Sequence, residues 1–270
     1  MHVTGLFVYP IKSCGGVSLP AAEVTRAGLR HDRRLMVVDG NGQFLSQRTH
    51  PRLGRVSTRL EAAGVRALSP EGELFVPFDF AAAGGLMRPV QVWRDSLSGV
   101  PHREGTHFFR EVLELPDVSL VALPEDGERV VDPRFGQALD RVGFADAYPV
   151  LLMGDSSVRD LEARTGTSLD MRRFRPNVTF EGAPYAEDRM AEFRAGGLPF
   201  RGVKRCDRCV LTTLHPDTQE RGLEPLRTLA GYRRGDDGKV YLGMNVIPDA
   251  EGTLRVGDLI TDVTEQEPHP

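Results

Sequence analysis

Turn-forming residues cut the apolar segments of this chain into short runs of strand composition, and that punctuation constrains the fold more than any other feature. In the first half, VTGLFVY (residues 3–9), RRLMVVD (33–39), QFLSQR (43–48), ELFVPF (73–78) and VQVW (90–93) are separated by breakers such as DGNGQ and SPEGE. Runs this short, bounded by Gly, Asp, Asn and Pro, predict antiparallel sheet closing toward a barrel or sandwich. One helix is expected to interrupt it, because Phe108, Phe109, Val112 and Leu113 keep helical spacing after Gly105 and Thr106.

A second section follows the strand VSLVAL (118–123) and the irregular loop PEDGERVVDPRFG. There YPVLLM (148–153), NVTFEG and FRGVKRC read as strands, and GDSS as the cap of a helix through VRDLEART. LEPLRTLAGY reads as a short helix, KVYLGMNVI and TLRVGDLI as a closing strand pair joined by PDAEG, and TEQEPHP as a polar, frayed tail. The fold class expected is mainly β with a few short helices. Its division is placed near residue 120, giving domains 1–120 and 121–265 with a tail at 266–270.

A chain of 270 residues with 40% hydrophobic and 27% charged content can bury a full core and is neither disordered nor fibrous. Its formal charge of −4 gives no long-range pull toward nucleic acid or anionic lipid, so neither is expected as a partner. The start MHVTGLFVYPIKS lacks a signal-peptide pattern, and no later stretch approaches the ~20 apolar residues that span a bilayer, so a cytoplasmic location is expected. The only cysteines are Cys14, Cys206 and Cys209, an odd count that argues against a disulfide framework.

Chemistry concentrates in three clusters. In KRCDRCVLTTLHPDT (204–218), Cys206 and Cys209 sit among Lys204, Arg205 and Arg208, cations that favour the thiolate, the form that binds soft metals. Half a zinc site completed by Cys14 and His215, a redox disulfide and two inert thiols all remain open on spacing alone. In MRRFRPNVTF (171–180), Arg175 and Asn177 would share one face of an edge or bulged strand, a pairing suited to phosphate or the rim of a heterocycle. A solvated edge strand is the plain alternative. In YPIKSCGG (9–16), Lys12, Ser13 and the glycines could form a phosphate-cradling turn, with Arg33 and Arg34 later in the same region. The lone lysine also admits a pyridoxal phosphate Schiff base, and an ordinary β-turn competes with both. His31, His50, His102 and His107 show no metal-ligand spacing, the acidic residues at 186–192 read as a solvated helix or turn, and GxSxG and HExxH are absent.

Taken in order, YPIKSCGG, LRHDRRLMVVDGNGQFLSQRTHPRLGRV, FRPNV, CDRCVLTTLHPDT, LEPLRTL, LGMNVI and GTLRVGD resemble the MOSC superfamily with its N-terminal β-barrel extension, in the branch of the mitochondrial amidoxime-reducing component and its bacterial relatives. The resemblance implies a β-barrel MOSC domain packed with an N-terminal barrel-like domain. It implies a molybdenum cofactor of the molybdopterin type, with Cys209 as the metal ligand. It carries Lys12, Ser13, Arg33, Arg175, Asn177, Asp207, Arg208 and Asn245 over as cofactor contacts, and Ala147 and Tyr148 align with contact positions. Asp207 stands where a serine is frequent, and its carboxylate would need Lys204 or Arg205 to offset it near an anionic phosphate. The implied activity is reduction of small N-hydroxylated molecules, amidoximes or hydroxylamines. Cys14 alone cannot build an iron–sulfur cluster, so electrons are expected from a separate flavin, iron–sulfur or haem protein. A non-catalytic carrier of molybdenum cofactor or sulfur is the alternative.

Overall fold

The computed structural model describes residues 1–82, 85–124 and 126–267. Its largest sheet has eight strands in the order Val17–Leu19, His2–Val8, Val178–Glu181, Val150–Gly154, Tyr241–Pro248, Leu198–Asp207, Met190–Ala195 and Ile260–Glu265. The pairing of Val150–Gly154 with Val178–Glu181 is parallel, which requires a crossover, and the helix Asp155–Thr165 supplies it. The sheet curls until His2 bridges Leu259 and Val3 N donates to Asp258 O at 2.9 Å, so its two ends meet as in a barrel. Val3, Leu6, Val8, Leu152, Phe180 and Val246 are buried in its interior.

A second core lies under the sheet Leu35–Asp39, Val118–Ala122, Asp95–His102, Arg88–Val92 and the meander Ser57–Glu61, Gly64–Ser69, Gly72–Pro77. The helix Arg103–Leu113 places Phe108, Phe109, Val112 and Leu113 in that core, as their spacing predicts. It starts ahead of Gly105 because the His102 imidazole caps it, Nδ1 accepting from Gly105 N at 3.0 Å. Among the described residues the mainly β reading holds, with three α-helices.

Several local expectations are corrected. QFLSQR is not a strand: only Gln43 and Phe44 bridge, and the chain then turns, with Thr49 N and His50 N donating to Ser46 O. RPNV is not an edge strand, since Arg175 is left-handed (φ 54°) and Val178–Glu181 lies between two neighbours. TLRVGDLI splits: Gly252–Arg255 pairs with Ala21–Thr25, and Ile260–Glu265 with Met190–Ala195. The cap of helix Asp155–Thr165 does fall within GDSS, at Gly154, but no side chain caps it, and the buried Ser157 donates to Glu187. The acidic stretch at 186–192 is a turn running into a strand at Met190 and is only partly solvated, since Glu192 is exposed but Glu187 and Asp188 are buried. In the expected tail, Thr264 and Glu265 belong to a strand and Gln266 N donates to Arg189 O at 2.8 Å, while residues 268–270 lie outside the described residues.

Candidate functional site

Tyr9 follows the first strand and supports a cluster of arginines drawn from distant parts of the chain. The Arg33 and Arg175 guanidinium groups lie 4.3 and 4.2 Å from its ring centre. Its hydroxyl donates to Pro176 O at 3.1 Å, and burial pushes its pKa up to about 12 despite the flanking cations. Arg33 is tied to Asp32 at 2.5 Å and to Asn177 Oδ1 at 3.1 Å. Asn177 is held from three sides, because its Oδ1 also accepts from Leu151 N and its Nδ2 donates to Phe7 O. Asn177 therefore orients Arg33 while joining the first strand to the middle of the sheet.

Arg175 and Arg208 are bound by carbonyls, not carboxylates. Arg175 Nη1 donates to Cys14 O at 2.7 Å; Arg208 Nε and Nη1 donate to Leu242 O and Phe174 O at 2.8 and 3.0 Å. Each leaves a buried Nη2 with no hydrogen-bond partner among the described residues. Buried donors are nearly always paired, so two such nitrogens on cations mark a place where an acceptor belongs. Burial, reinforced by Arg33, lowers the Arg175 pKa to about 10. Gly243, at φ 82°, leaves room beside Arg208: a Cβ there would come within 3.2 Å of Nη2.

Cys209 follows Arg208 at the start of a 3-10 turn, Val210–Thr213, and is partly exposed. Its Sγ accepts from Arg48 Nη1 at 3.6 Å. Arg48 lies in the turn that replaces the expected QFLSQR strand, so the departure from sheet is what brings this cation to the thiol. Arg48 also faces Asp146 at 3.9 Å and the Trp93 ring at 4.6 Å. Asp146 in turn pairs with Lys12, whose Nζ donates to Phe144 O at 2.7 Å. Burial lowers the Lys12 pKa to about 8, with Asp146 opposing the shift. The electrostatic chain Lys12–Asp146–Arg48–Cys209 thus crosses between early and late parts of the sequence.

The sequence-selected residues are not all alike in placement. Arg33, Arg175, Asn177 and Arg208 converge around Tyr9, and Cys209 adjoins Arg208; Lys12 reaches the thiol through Asp146 and Arg48. Ser13 is in a left-handed turn (φ 69°) next to Lys12. Asp207 is exposed at the end of Leu198–Asp207. Asn245 is turned to Lys204 O, donating at 3.1 Å, and lies apart from the arginine cluster in its hydrogen bonding. Ala147 is exposed, and Tyr148 packs edge-on to Phe135 at 6.2 Å. Sequence reasoning missed Tyr9, Arg48, Trp93 and Asp146. Arg48 lay inside a motif that carried the family resemblance, and that was its only signal. Among the described residues no group of three or more His, Cys, Asp or Glu could hold a metal ion, and Cys14 is buried with its pKa pushed up to about 12 by desolvation, which leaves no zinc site there.

Residues 1–116 match the MOSC N-terminal beta barrel domain and residues 140–261 the MOSC domain. The chain is 30% identical to mitochondrial amidoxime reducing component 2 of Macaca fascicularis, over 95% of its own length and 82% of that protein. It is 31% identical to mitochondrial amidoxime-reducing component 1 of Mus musculus, over 95% of its length and 80% of that protein. It also matches molybdenum cofactor sulfurase of Solanum lycopersicum at 28% identity, over 96% of its length but 35% of that much longer protein. The chain belongs to the MOSC-domain family, in the group that pairs this domain with the MOSC N-terminal β-barrel domain.

Proposed function

We propose that this protein binds a molybdenum–pterin cofactor and reduces small N-hydroxylated molecules, amidoximes or hydroxylamines, with electrons delivered by a separate flavin, iron–sulfur or haem protein. The observation that carries the reading is the pair of buried, unpartnered guanidinium nitrogens of Arg175 and Arg208, together with the partly exposed Cys209 thiol that follows Arg208 in the chain and accepts from Arg48. A ligand that brings anionic oxygens to the first and a soft metal to the second fits this donor set. In this reading residues 1–120 and 121–265 act as two halves around one site.

Cys209 Sγ is the metal ligand, and the Arg48 guanidinium, donating to it at 3.6 Å, sets its direction. Arg33, Arg175 and Arg208 hold the anionic part of the cofactor, with Asn177 fixing the direction of Arg33. Lys12 adds a cation and Ser13 a hydroxyl to this side, and Asp207 and Asn245 lie at its margins. When bound, the cofactor supplies the redox chemistry that passes an electron pair to the N–O bond. The protein's part is to hold the substrate there and to manage protons, since the departing oxygen leaves as water. Lys12 Nζ, its pKa lowered to about 8 by burial and its hydrogen bond going to a half-exposed Asp146, is a proton reservoir linked to the thiol through Asp146 and Arg48. The proximity of Asp146 to both Lys12 and Arg48 lets those cations share one counter-charge.

A second reading, in which the protein carries cofactor or sulfur without turning over, is favoured by its match to the sulfurase. Reduction of an amidoxime by cofactor-loaded protein with a chemical electron donor separates the two. Sustained turnover is expected; product limited to a single equivalent per protein would favour the carrier. Lack of an internal-aldimine absorbance would dispose of pyridoxal phosphate.

A further inference from the structure

The chain's single tryptophan stands at the rim of this site in a backbone conformation that suits an indole poorly. Trp93 is the first of two residues turning between the strands Arg88–Val92 and Asp95–His102, and its φ is 56°. Two-residue hairpin turns call for positive φ at that position and select glycine or asparagine for it. A bulky side chain there is strained, and such strain persists only where the surroundings hold it. Here Phe44 meets the indole edge-on at 5.1 Å, Arg48 lies 4.6 Å from the ring and Asp146, its carboxylate favoured in part by the Trp93 side chain, lies close by. After all three contacts 49% of Trp93 is still exposed. Single exposed aromatics are common on protein surfaces. This one differs in being anchored, against its backbone preference, on the guanidinium that touches the Cys209 thiol.

The geometry points to Trp93 as a specificity-determining residue, its exposed indole surface stacking against the flat, conjugated body of a substrate whose N–O group is presented near Cys209. This rests on the reductase reading above and adds the substrate class: planar aromatic or heteroaromatic N-hydroxylated bases over aliphatic ones. Stacking on a preset indole favours flat π-systems and gives little to a methyl group, so it discriminates by the substrate's body and leaves the reacting group to the rest of the site.

Because there is one tryptophan, its fluorescence reports on the rim without relying on turnover. Benzamidoxime and acetamidoxime, identical in their reacting group, are titrated into the purified protein and compared as substrates with a chemical electron donor. Saturable quenching by benzamidoxime well below the concentrations at which acetamidoxime acts is expected. Trp93→Gly, which suits the positive φ and so preserves the turn, should lower the preference for benzamidoxime over acetamidoxime in kcat/KM by roughly two- to tenfold, chiefly through the benzamidoxime KM; Trp93→Phe should recover most of the loss. Equal quenching by both compounds, no quenching, or equal KM changes would overturn the assignment. So would a Trp93→Gly defect seen only with a protein electron donor, which would make the indole a docking residue. Selective quenching in a protein that reduces neither compound would leave the stacking role standing and remove the reductase reading.

Discussion

Arg175 is a cation placed where the protein without its ligand gains little from it. It is desolvated, lies beside Arg33, leaves Nη2 unpartnered, donates to a carbonyl and faces the Tyr9 ring, while the nearby carboxylate, Asp32, is already paired with Arg33. Burying a charge without a counter-charge is unfavourable, and an apolar side chain of similar length often does better. Arg175→Met should therefore leave the cofactor-free protein as stable as the parent or more stable, by up to about 2 kcal/mol, while cofactor retention falls sharply. Denaturant unfolding of cofactor-free samples checks the first part and cofactor content after gel filtration the second; a destabilised variant that retains cofactor would make Arg175 structural. The sequence exposed this residue through the FRPN motif, whereas Arg48 was hidden among many arginines in a chain with only three lysines. Tyr9 and Asp146 were hidden for a different reason: each acts through partners more than a hundred residues away, Pro176 and Lys12, and no local pattern encodes such a pairing.

At the scale of elements, strand runs with clear β composition were legible, and the helix Arg103–Leu113 followed from its buried stripe. Pairing partners were not. The strand Gly252–Arg255 was legible as a strand, but its neighbour Ala21–Thr25 is more than two hundred residues earlier, and adjacency in sequence suggested the wrong one. The acidic stretch beginning at Ala186 misled because charge usually signals solvent. Instead Glu187 is buried, accepts from Ser157 Oγ at 2.8 Å and Gly154 N at 3.2 Å, and so fastens the turn Ala186–Arg189 to the start of helix Asp155–Thr165. Burial, with Asp188 adding to it, raises the Glu187 pKa to about 7 from 4.5. The folded protein thus holds this proton more tightly than the unfolded chain does. Its contribution to stability is full below about pH 4.5 and is lost as pH rises through 7. Glu187→Gln should remove that fall, so the stability difference between variant and parent shifts in the variant's favour between pH 5 and 7 by up to about 1.4 kcal/mol per pH unit. Parallel stability curves across that window would contradict the burial argument.

On the scale of the whole molecule, early and late sequence are interlocked in ways that place the site. The first strand His2–Val8 lies in the same sheet as Val178–Glu181, and Gly252–Arg255 borders Ala21–Thr25. Arg33, Arg48 and Lys12 come from the first part of the chain, and Arg175, Arg208 and Cys209 from the last. The mainly β class was legible in the punctuation, and the cationic site in its motifs, but that the two parts meet around Tyr9 required the three-dimensional structure. The most direct test is metal content. Parent protein and Cys209→Ala, both produced in a host with intact molybdenum-cofactor biosynthesis, are purified and analysed for molybdenum by mass spectrometry, with circular dichroism as a check on folding. Stoichiometric molybdenum is expected in the parent and none in the folded variant; full occupancy in Cys209→Ala, or a parent free of molybdenum from such a host, would contradict the assignment.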